Sequence, residues 1–179
     1  MRLLLFLLFL VSCQSPLPKP KGMLALTYPE PSYTTWLSSC PFEFPRNVQT
    51  NIDSQENCFF NIDYPQMNAR VYMSYFDLEQ HNYSDLWTDV QTRLMEHNKT
   101  DVRIKESSYQ NTGSKVYGRF FELQGDAPSN LHFVATDQDK HFLTGVLFFK
   151  SEPNYDSLYP AIQYVKTDLR KLTEGLRWR

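Results

Sequence analysis

Cysteine, histidine and paired carboxylates are the side chains of this chain whose types and spacing could do chemistry. There are three cysteines, Cys13, Cys40 and Cys58, and four histidines, His81, His97, His132 and His141. A zinc site needs closely spaced pairs of such ligands. Cys40 and Cys58 have no C-x-x-C spacing and no neighbouring histidine, and no H-E-x-x-H, H-x-H or H-x-x-x-H pattern joins the histidines. Asp137-x-Asp139 opens like a calcium loop, but Lys140 and His141 follow where further oxygen ligands and a glycine are needed. No G-x-S-x-G elbow, phosphate loop or G-x-G-x-x-G is present. Carboxylates for glycoside hydrolysis are always available among 20 acids, but their separation of roughly 5–9 Å is set by the fold. His132, beside Phe133, reads as a packed or rim histidine. His141 follows an acidic turn and is placed to bond Asp137 or Asp139. The expectation is a protein with no catalytic residues, no metal and no cofactor, and hence not an enzyme.

Cys13 has a different reading. Arg2 is followed by an apolar run from Leu3 to Val11, then by Ser12 and Cys13. The run is shorter than the roughly 20 residues of a spanning helix, and its positive start, apolar middle and small residue have the form of a secretory signal. Leu10-Val11-Ser12-Cys13 resembles a bacterial lipobox, in which the cysteine is lipidated and the chain is cut just before it. Residues 1–12 are thus expected to be a lipoprotein signal peptide. Acyl chains on Cys13, at about 0.8 kcal/mol per buried CH₂, would hold the protein on a bilayer surface without spanning it. Residues 13–22 carry Pro16, Pro18 and Pro20 and read as a tether reaching on the order of 25–30 Å. With Cys13 lipidated, Cys40 and Cys58 remain as an even pair in a compartment that permits a disulfide. That bridge is worth roughly 3 kcal/mol in the chain-entropy model. The formal charge of −2, one unit more negative without Arg2, steers the protein neither to nucleic acid nor to an anionic membrane face.

Residues 23–179 are expected to form one domain, and strands dominate it. Candidates are 23–28, 42–50, 57–63, 67–76, 102–109, 115–124, 130–136 and 141–150. In 67–76, Ala69, Val71, Met73 and Tyr75 alternate with Arg70, Tyr72 and Ser74, the spacing of a half-buried strand. In 142–149 both faces are apolar, which places that strand mid-sheet with a layer on either side. Asp137 to Lys140 reads as a hairpin turn. A first helix is expected from about Ser84, its N-cap, to His97, with Trp87, Val90 and Leu94 on one face. A second runs from about Leu158 to Gly175, capped by Asp156 or Ser157, with Pro160 in its first turn. Leu158, Ile162, Val165, Leu169, Leu172 and Leu176 form its apolar stripe. Strand runs punctuated by single helices indicate an α+β fold with a mainly antiparallel sheet flanked by helices, an α/β/α sandwich. The element order resembles the Mog1/PsbP-like fold over about residues 40–178. A fold carries no activity with it.

A closer resemblance spans nearly the whole chain. Pro18-Lys19-Pro20-Lys21-Gly22, Cys40-Pro41-Phe42 and Phe44-Pro45 begin it. Asn61-Ile62-Asp63-Tyr64-Pro65, Asn68-Ala69-Arg70-Val71, Lys115-Val116-Tyr117-Gly118 and Thr136-Asp137 continue it. Lys140-His141-Phe142-Leu143, Gly145-Val146-Leu147-Phe148-Phe149, Pro153-Asn154, Asp156-Ser157-Leu158 and Trp178 complete it. In this order the pieces resemble the gliding-motility lipoprotein GldD family. The resemblance implies a cell-envelope lipoprotein needed for gliding and for linked type IX protein secretion, with other envelope proteins as partners. It implies no catalytic residues. Gln14 to Pro18 hold no acid, and Lys19 and Lys21 are basic, so the family context implies a domain on the periplasmic side, most simply of the outer membrane. Two other functions stay open at this point. One is a periplasmic carrier holding a lipid or glycan. The other is a hydrolase of cell-wall material, which requires converging carboxylates or a nucleophile and base.

Overall fold

Alternation of apolar and polar side chains builds most of the molecule. The computed structural model describes residues 27–37, 39–96 and 102–179. Its strands are β1 (Tyr33–Leu37), β2 (Phe42–Asn47), β3 (Asn51–Ser54), β4 (Phe59–Tyr64), β5 (Ala69–Asp77), β6 (Arg103–Asn111), β7 (Val116–Gln124), β8 (Leu131–Thr136), β9 (His141–Phe149) and β10 (Arg177–Trp178). Helices α1 (Tyr83–Glu96) and α2 (Tyr155–Gly175) punctuate them. Seven strands form one sheet in the order β3-β4-β5-β9-β8-β7-β6, with every neighbouring pair antiparallel. A smaller antiparallel sheet runs β1-β2-β10. The fold is the expected α+β sandwich.

β9 lies at the centre of the large sheet, between β5 and β8. Leu143 and Leu147 face a core shared with Val71, Met73, Phe133 and the α2 stripe of Ile162, Val165, Leu169 and Leu172. The small sheet adds Phe42 and Phe44 to that core. Phe142 faces the opposite side, where Leu86 and Leu94 of α1 meet Phe121, Leu123 and Val134. The expected face of α1 is only partly the buried one: Leu86 and Leu94 are buried, while Trp87 and Val90 pack from the edge.

The structure moves several boundaries. Thr27 and Tyr28 are not strand, and residues 23–26 lie outside the described residues. β2 stops at Asn47, whose side-chain oxygen accepts the Gln49 N–H at 3.0 Å and turns the chain. Glu56–Cys58 is a single 3-10 turn ahead of β4. The α1 start is fixed by Asn82, whose side chain accepts the Ser84 N–H at 2.8 Å, so Ser84 lies inside the helix. Asn154, not Asp156 or Ser157, caps α2 by accepting the Ser157 N–H at 3.2 Å. β1, β3 and β10 were outside the expectation.

Two buried carboxylates pin α2 to the strands. Asp168 is 4% exposed and accepts hydrogen bonds from Tyr33 Oη of β1 at 2.6 Å and Asn47 Nδ2 of β2 at 2.7 Å. Burial raises its pKa above the ordinary aspartate value, and those donors offset the rise only in part. Glu122 of β7 is 3% exposed and pairs with Lys166, with Tyr155 Oη donating at 2.8 Å and Gln163 Nε2 at 3.2 Å. Burial alone would raise its pKa, but the Lys166 and Tyr155 contacts prevail and lower it.

The packing of β9 yields one prediction. A Cβ at Gly145 would lie 2.1 Å from Phe133 Cε1 and 2.9 Å from Met73 Sδ. Gly145→Ala should lower stability by about 1–3 kcal/mol, as overpacking does, whereas Gly113→Ala, whose Cβ meets only Asn111 Oδ1 at 3.4 Å, should be near neutral. Urea denaturation of both variants checks this; equal midpoints would contradict it.

Asp168 yields a second. Its pKa is raised in the folded state, so the folded chain holds that proton more tightly than the unfolded chain. Its contribution is then fully present below the ordinary value of 3.8 and is lost as pH rises through the raised one. The urea midpoint of wild type relative to Asp168→Asn should therefore decline as pH rises above that ordinary value. A difference that stays flat with pH would count against the buried ionisation.

Candidate functional site

The described chain enters the fold on the α2 side. The Tyr28 ring packs on Tyr164 with centroids 5.5 Å apart, and Tyr164 Oη donates to the Pro29 carbonyl at 3.1 Å. Asn47 Nδ2 donates to Tyr164 Oη at 2.9 Å, which joins this entry point to the Asp168 cluster. Cys13, the tether and His97 lie outside the described residues.

Cys40 and Cys58 are joined by a disulfide with Cα atoms 5.6 Å apart. The bridge brings Pro41 beside the Glu56–Cys58 turn. There Asn57 and Cys58 both hold positive φ, 57° and 60°. Such backbone is uncommon outside glycine and asparagine, and at Cys58 the covalent link to Cys40 anchors it. Next to this lip is an open cleft of about 550 Å³. Phe59, Tyr75 and Phe76 supply aromatic surface, and Asn57, Asp77, Gln80 and His81 supply polar groups. Phe59 and Phe76 meet edge to face at 6.0 Å, and Phe76 meets His81 in the same way at 5.4 Å.

The polar side of the cleft is held by short-range bonds. The Asp77 carboxylate accepts the Glu79 N–H at 2.9 Å, and the Asp77 carbonyl accepts the Gln80 and His81 N–H groups at 3.1 and 3.0 Å. His81 Nδ1 lies 3.1 Å from that carbonyl, which can only accept, so Nδ1 carries the proton. Tyr75 Oη and His141 Nδ1 share a hydrogen bond of 2.8 Å, and the His141 ring stacks on Trp178 at 4.8 Å. Burial, then the charges of Asp77 and Asp137, push the Tyr75 pKa up to about 12, so the phenol is protonated at neutral pH.

The sequence-derived candidates are distributed differently. His141 uses its ring on Tyr75 and its backbone N–H on Asp137 Oδ1, at 2.8 Å. Asp137 also accepts from Asp139 and Lys140 N–H at 3.0 and 2.9 Å; burial opposes this, yet the bonds hold its pKa low. The Asp137-x-Asp139 pair is thus a turn-closing device. His132 is buried in β8. Among the described residues, no group of three or more His, Cys, Asp or Glu could hold a metal ion. Two partly enclosed spaces among the described residues, by Tyr64 and Met67 and by Phe76 and Leu86, measure about 10 and 20 Å³. They have no room for a lipid. No helix among the described residues is long and apolar enough to cross a membrane.

At one edge of the large sheet, β6 has no second partner strand among the described residues. β6 pairs with β7 over nine residues without a slip. Among the described residues, no further backbone hydrogen bond leaves β6. Ser107 to Asn111 carry no charge or proline, so half of this edge lacks the features that usually block pairing with another chain.

No curated protein matches the chain significantly. The family model for the gliding motility lipoprotein GldD matches residues 13–178, from the cysteine at the end of the apolar leader to the tryptophan stacked on His141. Over that span the chain belongs to the GldD family of gliding motility lipoproteins.

Proposed function

We propose that the protein is a non-enzymatic, lipid-anchored assembly or stabilising factor for gliding and for linked type IX protein secretion, held on the periplasmic side of the outer membrane. The family membership over residues 13–178 carries this reading. The matched span begins at Cys13 itself, the residue that would carry the lipid. The open edge of β6 supports a role in protein contact, since an extended partner segment can add to such an edge through main-chain hydrogen bonds. The tight core supports contact through the surface over carriage of an internal lipid.

Deletion of the gene should abolish spreading on agar, retain type IX cargo inside the cells and lower the envelope level of specific motility proteins, all restored by the wild-type chain. Normal cargo secretion in the deletion strain would sink the secretion role. Unchanged partner levels by quantitative proteomics would sink the stabilising role.

Cys13→Ser should lose palmitate labelling and leave the envelope membrane fraction. In intact cells the wild-type domain should resist added protease until the outer membrane is breached. Labelling that survives the substitution would disprove the anchor, and digestion in intact cells would disprove the periplasmic orientation.

A further inference from the structure

The open cleft beside the Cys40–Cys58 disulfide matches one class of ligand. Its volume of about 550 Å³ lies inside the range of roughly 300–1,000 Å³ typical of small-molecule sites. Three aromatic rings line it, yet it opens to water and carries four polar side chains. An acyl chain seated there would stay wet along one side. Among the described residues no Lys or Arg lines it, so there a phosphate or carboxylate ligand finds no counter-charge in the lining. Among the described residues Asp77 is the one carboxylate in its lining, which leaves a divalent cation short of ligands. A sugar ring has an apolar C–H face and an edge of hydroxyls. The face suits Phe59, Tyr75 or Phe76. The edge suits the amides of Asn57 and Gln80, which both donate and accept, together with the accepting Asp77 carboxylate and the His81 ring.

The site is also pre-formed, which reduces the ordering cost of binding. The Asp77 bonds fix the loop that carries Gln80 and His81. With Nδ1 committed to the Asp77 carbonyl, Nε2 is the ring nitrogen of His81 that a ligand would meet. Tyr75 is held by His141, and His141 by the Trp178 stack. Asn57 sits in left-handed backbone next to a disulfide-tied residue of the same strained type. Strain of this kind is retained where it positions functional groups.

We propose that this cleft binds a short stretch of neutral glycan. The inference is independent of the assembly role, because binding is read on the isolated protein. The test uses the full-length lipoprotein in an amine-oxide detergent, which has no sugar headgroup. Chitotetraose and maltotetraose are the probes, followed by saturation-transfer NMR. At least one should receive saturable transfer through its ring C–H protons. Gln80→Ala and His81→Ala, both at exposed positions, should each weaken binding about three- to tenfold, as loss of one hydrogen bond does. Their melting temperatures should not change, and the double variant should bind no probe. Preference for chitotetraose would identify an N-acetylated, cell-wall type of glycan, and preference for maltotetraose an unsubstituted polysaccharide. Absence of saturable transfer from both probes at millimolar concentration would overturn the proposal. So would binding indifferent to both substitutions. A neutral peptide that binds with the Gln80 and His81 dependence while the sugars do not would reassign the cleft to protein.

Discussion

Burial of β9 on both faces is the constraint from which the other layers follow. A strand with Phe142 on one side and Leu143 and Leu147 on the other, all fully buried, must be covered twice. On one face α2 and the small sheet do this with a continuous stripe from Ile162 to Leu176. The close fit shows where side chains are missing. Gly145 lets Phe133 and Met73 meet over the strand, and Gly175 lets the end of α2 rest on the Pro45 ring, which a Cβ would approach to 2.5 Å. On the other face α1 has 14 residues, a length of about 21 Å, and it covers the β7–β8–β9 end and Phe76 near the end of β5. The remaining part of that face is polar and aromatic. Arg70 bonds Asp63 through two nitrogens, at 2.6 and 2.9 Å, and Tyr72 meets Phe148 edge to face.

The two buried carboxylates hold the same helix by opposite electrostatic means. Glu122 meets a cation, Lys166, and stays charged below its ordinary pKa. Asp168 receives only neutral donors and is held protonated more readily. Acidification therefore weakens the first anchor while relieving the second, so the seat of α2 is not lost at a single pH. Apolar residues could fill the same volume. What the polar pair adds is direction: Tyr33, Asn47, Tyr155 and Gln163 can each bond only with the helix in this rotation and height.

The large elements were legible because their periods are long and uninterrupted. The α2 stripe and the doubly apolar β9 needed no tertiary information. β1, β3 and β10 are not legible in the sequence because they are short and largely exposed. Pro45 in particular argues against a strand, but at that point β2 has β1 on one side only, since β10 pairs no further than Phe42 and Glu43. A missing N–H there breaks no ladder. The helix starts were misplaced because several residues capable of capping stood in a row. The cysteine pair was readable by arithmetic, but the cleft next to it was not. Its walls come from four stretches that meet only after β4, β5 and the disulfide have formed, and the left-handed backbone at Asn57 and Cys58 has no glycine to signal it.

The placement of that cleft relative to the chain's entry gives the domain a polarity. Tyr28 and Pro29 pack by Tyr64, Met67 and Tyr164, at the β4–β5 turn. The cleft lies at the other end of the same hairpin, where β4 begins at Phe59 and β5 ends at Asp77. The six residues of β4 separate the two by on the order of 17–20 Å. Under the anchoring proposed above, a lipid joined to the chain ahead of Tyr28 would lie on the far side of the hairpin from the disulfide lip and its aromatic cleft. β6 lies at the opposite edge of the sheet from β3, so an added strand there would not obstruct the cleft. The entry of the described chain, the β6 edge and the cleft thus occupy three separate parts of the fold, so the proposed anchor, partner segment and ligand would not compete for one surface.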